Sequence, residues 1–209
     1  MRRPLVAPLI AILVLAVALT GAAGAQSPEP PAQAPGQPSQ PAPKVQQPKG
    51  EEALDQLFGR LKSTKDDAEA DVIEQAIWHY WINKGTDTVD ILMAKGMRAM
   101  QAGDHDTAIE AFDAVLVLDP ELAEGYNKRA TVYYMMGRYA DSVTDIEKTL
   151  ELEPRHFGAL SGLGLIYSEL DEREAALRAF DAALGINPHL DGIAEKAAEL
   201  RLRLEGRGI

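Results

Sequence analysis

The stretch "FGALSGLGLIYSELDEREAALRAFDAALGINPHL", residues 157–190, decides the fold, because its closing proline recurs. Pro120, Pro154 and Pro188 follow one another at intervals of 34 residues and are the only prolines after residue 50. Gly103, Gly137 and Asp171 repeat at the same interval and mark a turn inside each copy. Between these points leucine, alanine and charged residues alternate with helical spacing. A fixed period of 34 is that of two antiparallel helices that bury their apolar faces by stacking on copies of themselves.

The copies can be compared position by position. In the third, Leu160, Leu163, Gly164, Tyr167, Ala176, Phe180, Ala183 and Pro188 form the framework. The first, 89–122, has Gly96, Ala108, Phe112 and Pro120, with Lys95 and Ala99 as departures. The second, 123–156, has Tyr126, Ala130, Tyr133 and Pro154, with Arg129, Ser142 and Ile146 as departures. This pattern resembles the tetratricopeptide repeat (TPR), and the resemblance spans about residues 89–205. It implies an all-α superhelix whose first helices line a concave face.

Each framework residue has a packing role. Gly96, Ala130 and Gly164 stay small where the two helices of a repeat approach closely, and Ala108 and Ala176 are expected to meet them from the second helix. The prolines stop each second helix, since they lack an amide hydrogen and clash with the preceding turn. Asp119 and Asn187 are expected to cap the helices that follow.

The remainder of the chain surrounds this array. Arg2 and Arg3, the apolar run Leu5–Leu19 and the small residues Ala23-Gly24-Ala25 read as a secretory signal peptide over 1–25, cleaved before Gln26. The run is shorter than the ~20 residues of a membrane span, and an uncleaved inner-membrane anchor is the alternative. Residues 26–50 hold eight of the thirteen prolines and read as a disordered linker. Residues 51–88 form a helical pair expected to pack on the first repeat, with Ile77 and Trp81 plugging it and Trp78 covering an edge. An exposed aromatic patch there, for a second subunit, is the alternative. Over 191–209, Ile193, Ala197, Leu200 and Leu204 form the apolar stripe of a capping helix. The fold class is therefore an all-α solenoid of three repeats, 89–122, 123–156 and 157–190, between an N-terminal pair and a C-terminal cap.

Composition narrows the function. The net charge is −11, and loss of Arg2 and Arg3 makes it −13, which disfavours nucleic acid as a partner. The absence of cysteine excludes disulfides, thiolate catalysis, cysteine-bound metal and a lipoprotein anchor. Ser161 lacks the flanking glycines of a nucleophile elbow, Gly162-Leu163-Gly164 lacks the third glycine of a dinucleotide loop, and the four histidines are scattered. Asp104-His105-Asp106 reads as a helix cap rather than a metal site. No enzyme activity, metal or cofactor is expected.

What remains is a binding surface. The register of the resemblance turns inward Met93, Met97 and Met100 from the first repeat, Asn127, Lys128, Thr131, Tyr134 and Met135 from the second, and Ser161, Leu165 and Ser168 from the third. Methionine suits a surface that accepts irregular partners. Some chaperone-binding relatives clamp a C-terminal carboxylate, but at the corresponding positions this chain has Met93, Met97, Lys128, Gly158 and Gly162, of which only Lys128 fits. The expected function is a periplasmic adaptor or assembly factor holding a protein or peptide in the groove formed by Met93, Met97, Met100, Asn127, Lys128, Thr131, Tyr134 and Leu165. The alternative is a self-associating envelope protein joined through its aromatic N-terminal helices.

Overall fold

A computed structural model describes residues 50–206. The expected signal peptide and nearly all of the linker lie outside the described residues. Nine α-helices and no strand occur among those described. The N-terminal pair is α1 (Glu51–Ser63) and α2 (Asp67–Ile82). Three repeats follow: α3 (Asp87–Gln101) with α4 (His105–Leu118), α5 (Ala123–Met135) with α6 (Tyr139–Leu152), and α7 (Phe157–Glu169) with α8 (Arg173–Ile186). The cap is α9 (Asp191–Glu205).

The punctuation acts locally as its chemistry requires. Each second helix ends two residues before its proline, at Leu118, Leu152 and Ile186. Gly103 and Gly137 turn the chain between the helices of a repeat with φ of 75° and 71°, and Asp171 does the same with φ 58°. Asp104 caps α4 by accepting the Thr107 amide at 3.2 Å. Asp119 and Asn187 do not cap the next helices. Their side chains accept the amides two residues on, of Glu121 and His189, and so shape the proline turns themselves.

Packing inside a repeat rests on a pairing of volumes. A Cβ on Gly96 would lie 2.6 Å from the Phe112 ring, and one on Gly164 would clash with the Phe180 ring. These rings, rather than Ala108 and Ala176, meet the glycines. In the middle repeat the same two positions hold Ala130 and Ile146, which share one core cluster, so a larger first residue accompanies a smaller second one. The other departures are also compensated. Ser142 donates to the Ala130 carbonyl at 2.8 Å, and Arg129 grips Asp145 through two hydrogen bonds of 2.8 and 2.7 Å.

At the C-terminus, Ala197 and Leu200 are buried against Ala176 and Phe180, with Ile193 packed beside them, as the stripe predicts. The N-terminal pair departs from expectation. Its core, built from Leu54, Leu57, Phe58, Leu61, Ile73, Ile77 and Trp81, closes on Phe157 at the start of α7, with Ile186 and Leu190 at its edge. It therefore docks on the third repeat and the face of α5, not on the first repeat. Long-range polar contacts hold it there: Asn187 donates to Glu74 at 2.8 Å and Arg155 pairs with Asp55 at 2.5 Å. Residues 83–86 provide the reversal into α3, where Ile91 remains exposed.

Gly164→Leu should force the Phe180 ring out of its place. Overpacking costs about 1–3 kcal/mol, and for a chain of this size that lowers the thermal midpoint by about 2–12 °C. Circular dichroism at 222 nm measures it, and an unchanged midpoint would contradict the pairing of volumes.

Candidate functional site: a groove between α5 and α7

The first helices of the second and third repeats stand side by side and leave a cavity of about 340 Å³ between them. Its walls include Asn127, Thr131, Tyr134 and Met135 from α5 and Gly158, Ser161, Gly162 and Leu165 from α7. The glycines make the depression. A Cβ on Gly162 would meet nothing closer than Ile146, at 3.6 Å, so the space beside it is open. The hydroxyls of Thr131 and Ser161 are turned back on their own helices, donating to the carbonyls of Asn127 and Phe157 at 2.9 and 2.8 Å. The open part of the groove is therefore largely apolar despite its serine and threonine. Burial raises the Tyr134 phenol above its ordinary pKa, and the Glu169 charge acts in the same direction.

One end of the groove is polar and closed. Glu124 is fully buried, and its Oε2 accepts from Asn127 Nδ2 at 3.0 Å and from His156 Nε2 at 2.9 Å. The tautomer of His156 follows from its other nitrogen: Nδ1 accepts the Ala159 amide at 3.0 Å, which leaves the proton on Nε2 to face the carboxylate. Lys128 Nζ lies 2.8 Å from Glu124 Oε1 as an ion pair, off the line of a hydrogen bond. Burial by itself drives the Glu124 carboxyl upward, but the His156 hydrogen bond and the Lys128 ammonium outweigh it and hold the carboxyl below its ordinary value. Over this cluster lie both tryptophans of the chain. Trp81 stacks on the His156 ring at 4.2 Å, and Trp78 stands edge-on to His156 and Phe157 with Lys128 Nζ 5.0 Å from its centroid.

Asn127, Thr131, Tyr134 and Leu165 line the cavity together, as the register predicts, and Lys128 lies at its polar end. The methionines of the first repeat do not. Met93 is wholly buried with Val89, Phe112 and Val132, and Met97 and Met100 pack against that core, so all three fill the first repeat. Of the aromatic residues that the alternative offered as a patch to a second subunit, Trp81 is only 3% exposed and Trp78 is half-buried against His156 and Phe157, while His79 is exposed. Sequence reading missed Glu124, His156 and Gly158. A signal existed for Glu124, which precedes Asn127 and Lys128 by three and four residues and so shares their helix face. None existed for the tryptophans, which reach Phe157 and His156 from far along the chain.

This geometry defines a helical-repeat protein with an inner groove, a class built for holding other chains. A family model described as TPR repeat matches residues 96–137, and one described as tetratricopeptide repeat matches residues 127–191. A TPR repeat-containing protein of Rhizobium etli is 37% identical over 73% of this chain and 75% of its own length. The chain belongs to the tetratricopeptide-repeat family. The Hsp70-Hsp90 organizing protein of Triticum aestivum is 30% identical over 54% of this chain, a match that spans 19% of the wheat protein. Among solved structures, the first TPR of Spaghetti (RPAP3) bound to the HSP90 peptide SRMEEVD shares the fold with a TM-score of 0.55, covering 58% of this chain and 96% of that one at 20% identity. The translocator chaperone SycD of Yersinia enterocolitica does so with a TM-score of 0.54, covering 59% and 98% at 16% identity.

A carboxyl held below its unfolded value stabilises the fold fully above the unfolded pKa and loses that contribution as pH falls through the lower folded value. The indole emission of Trp78 and Trp81 should therefore shift to the red on acidification below pH 4.5, the ordinary value for glutamate. Glu124→Gln, neutral throughout, should lose this acid step. A step of equal size in the variant would contradict the role of Glu124.

Proposed function

We propose that the chain is an exported, non-catalytic adaptor of the bacterial envelope that holds a segment of a protein partner between α5 and α7. The observation that carries this reading is the open, largely apolar groove bounded by Thr131, Tyr134, Ser161, Gly162 and Leu165. A depression of this size admits two or three bulky side chains and excludes water from them. The partner is an apolar or helical segment rather than a free C-terminus. Met93 and Met97 are core residues, Gly158 and Gly162 carry no side chain, and Lys128 is already neutralised by Glu124. Relatives and structural neighbours support the general class, since one solved neighbour is bound to an HSP90 peptide and another is the TPR2B domain of yeast Sti1 in complex with pHsp70. Export is supported by the sequence of residues 1–25.

Leu165→Asp places a charge in the apolar half of the groove. Its uncompensated burial beneath a partner costs roughly 1–3 kcal/mol or more, which weakens capture of the partner from a periplasmic extract about five- to a hundredfold. Leu165 is partly exposed but also packs against the core of Ala176 and Phe180, so the thermal midpoint of the variant is measured alongside capture. The control is Lys148→Ala on α6, away from the groove. Loss of the partner in the control with retention in Leu165→Asp would overturn the reading. For export, intact-mass measurement of the soluble periplasmic fraction should find a chain beginning at Gln26, and a membrane-bound chain retaining residues 1–25 would replace it with an anchored adaptor.

A further inference from the structure

The groove between α5 and α7 continues beyond its open half. Gly158 and Asn127, which line the cavity, also border the place where Trp78 sits. A Cβ on Gly158 would lie 2.5 Å from the edge of that indole. Asn127 holds Glu124, the carboxylate that fixes the ammonium lying over the same ring. The seat of Trp78 and the open cavity are two halves of one groove, and a side chain of this molecule fills one of them.

We propose that α2 is an internal ligand of the groove, and that the partner is a helix presenting a carboxylate and a large aromatic ring one turn apart, as Glu74 and Trp78 do, which enters by displacing α2. The inference rests on the groove reading above and adds the chemistry of the occupant and its competitor.

The contacts made by α2 are those of a ligand. Glu74 Oε1 accepts from the Trp78 indole nitrogen at 3.1 Å and Oε2 accepts from Asn187 at 2.8 Å, so one carboxylate orients the ring and anchors it to the end of the third repeat. The ring then fills the gap above Gly158 and meets the Lys128 cation. Any helix carrying the same pair of groups at the same spacing can reproduce these contacts.

The surface beneath α2 can stand without it. Glu124 is bonded to His156, Asn127 and Lys128, and His156 to the Ala159 amide, and none of these bonds uses an atom of α2. When α2 lifts away, the network keeps its hydrogen bonds and its ion pair, Glu124 Oε1 gains access to water, and Asn187 exchanges Glu74 for water. The apolar part of the seat is Phe157, buried under Trp78 and Trp81, with Ile186 and Leu190 at its edge, and its re-covering is what an aromatic partner supplies. The connection over residues 83–86 leaves α2 without a stacked neighbour in the first repeat, so it can leave without dismantling the array.

The test uses the full chain and a fluorescein-labelled synthetic peptide of residues 67–82, read by fluorescence anisotropy. In the wild type the peptide competes with a tethered copy of itself at an effective concentration in the millimolar range. Trp78→Ala loosens that copy and should raise peptide affinity at least tenfold, while the gentler Glu74→Ala should raise it several-fold. Adding Gly158→Leu to Trp78→Ala should cancel the gain, and a peptide with alanine in place of the tryptophan corresponding to Trp78 should not bind. Variants that keep their helical signal but bind the peptide no better than wild type would overturn the proposal. So would loss of that signal in both Trp78→Ala and Glu74→Ala, since α2 would then be a fixed part of the scaffold. The peptide assay needs no natural partner. Peptide exchange in a chain whose partner capture survives Leu165→Asp would therefore sink the groove reading alone.

Discussion

The closeness of the two helices within a repeat is the constraint on which the rest of the structure depends. Phe112 and Phe180 occupy space that a side chain at Gly96 or Gly164 would need, and in the middle repeat Ala130 and Ile146 divide the same space differently. Because this contact fixes the angle between paired helices, it also fixes how consecutive pairs stack. The separation of α5 from α7, and with it the groove, follows from that stacking. The middle repeat, with its polar substitutions, forms one wall. Ser142 and the Arg129–Asp145 pair replace apolar packing there with hydrogen bonds, and both are satisfied.

The groove has a polar end and an apolar end for separate reasons. The polar end exists because Glu124 sits at the start of α5 where His156, just before α7, can reach it, and a buried carboxylate is tolerable only with several partners. The apolar end exists because Ser161 and Gly162 remove bulk from α7 and the nearby hydroxyls are spent on their own helices. Into the polar end the chain places its two tryptophans. The N-terminal pair thus completes the concave face instead of extending the stack.

Much of this was legible in the sequence. The proline period, the turn residues Gly103, Gly137 and Asp171, and the stripe of α9 each report local rules, and each is found where those rules put it. Asn127, Thr131, Tyr134 and Leu165 were legible because a helix face follows from register alone. Met93 was misread, since register gives a direction but not what lies there, and Phe112 and Val132 close over it. The docking of α2 was illegible for a deeper reason. Glu74 meets Asn187 across 113 residues, and no local preference encodes a contact of that range. Adjacency in the chain favoured the first repeat, whereas the Trp78 indole fills the gap above Gly158 in the third.

If α2 is an internal ligand of the groove, the N-terminal pair opens as a unit while the repeats remain folded. Native-state hydrogen exchange of the full chain, resolved by peptide mass spectrometry, measures this directly. The amides of α1 and α2 should exchange together, through an opening of lower free energy than the one that exposes α5 and α7. Exchange of α1 and α2 only through the same global opening that exposes α5 and α7 would show that the pair is a fixed part of the scaffold.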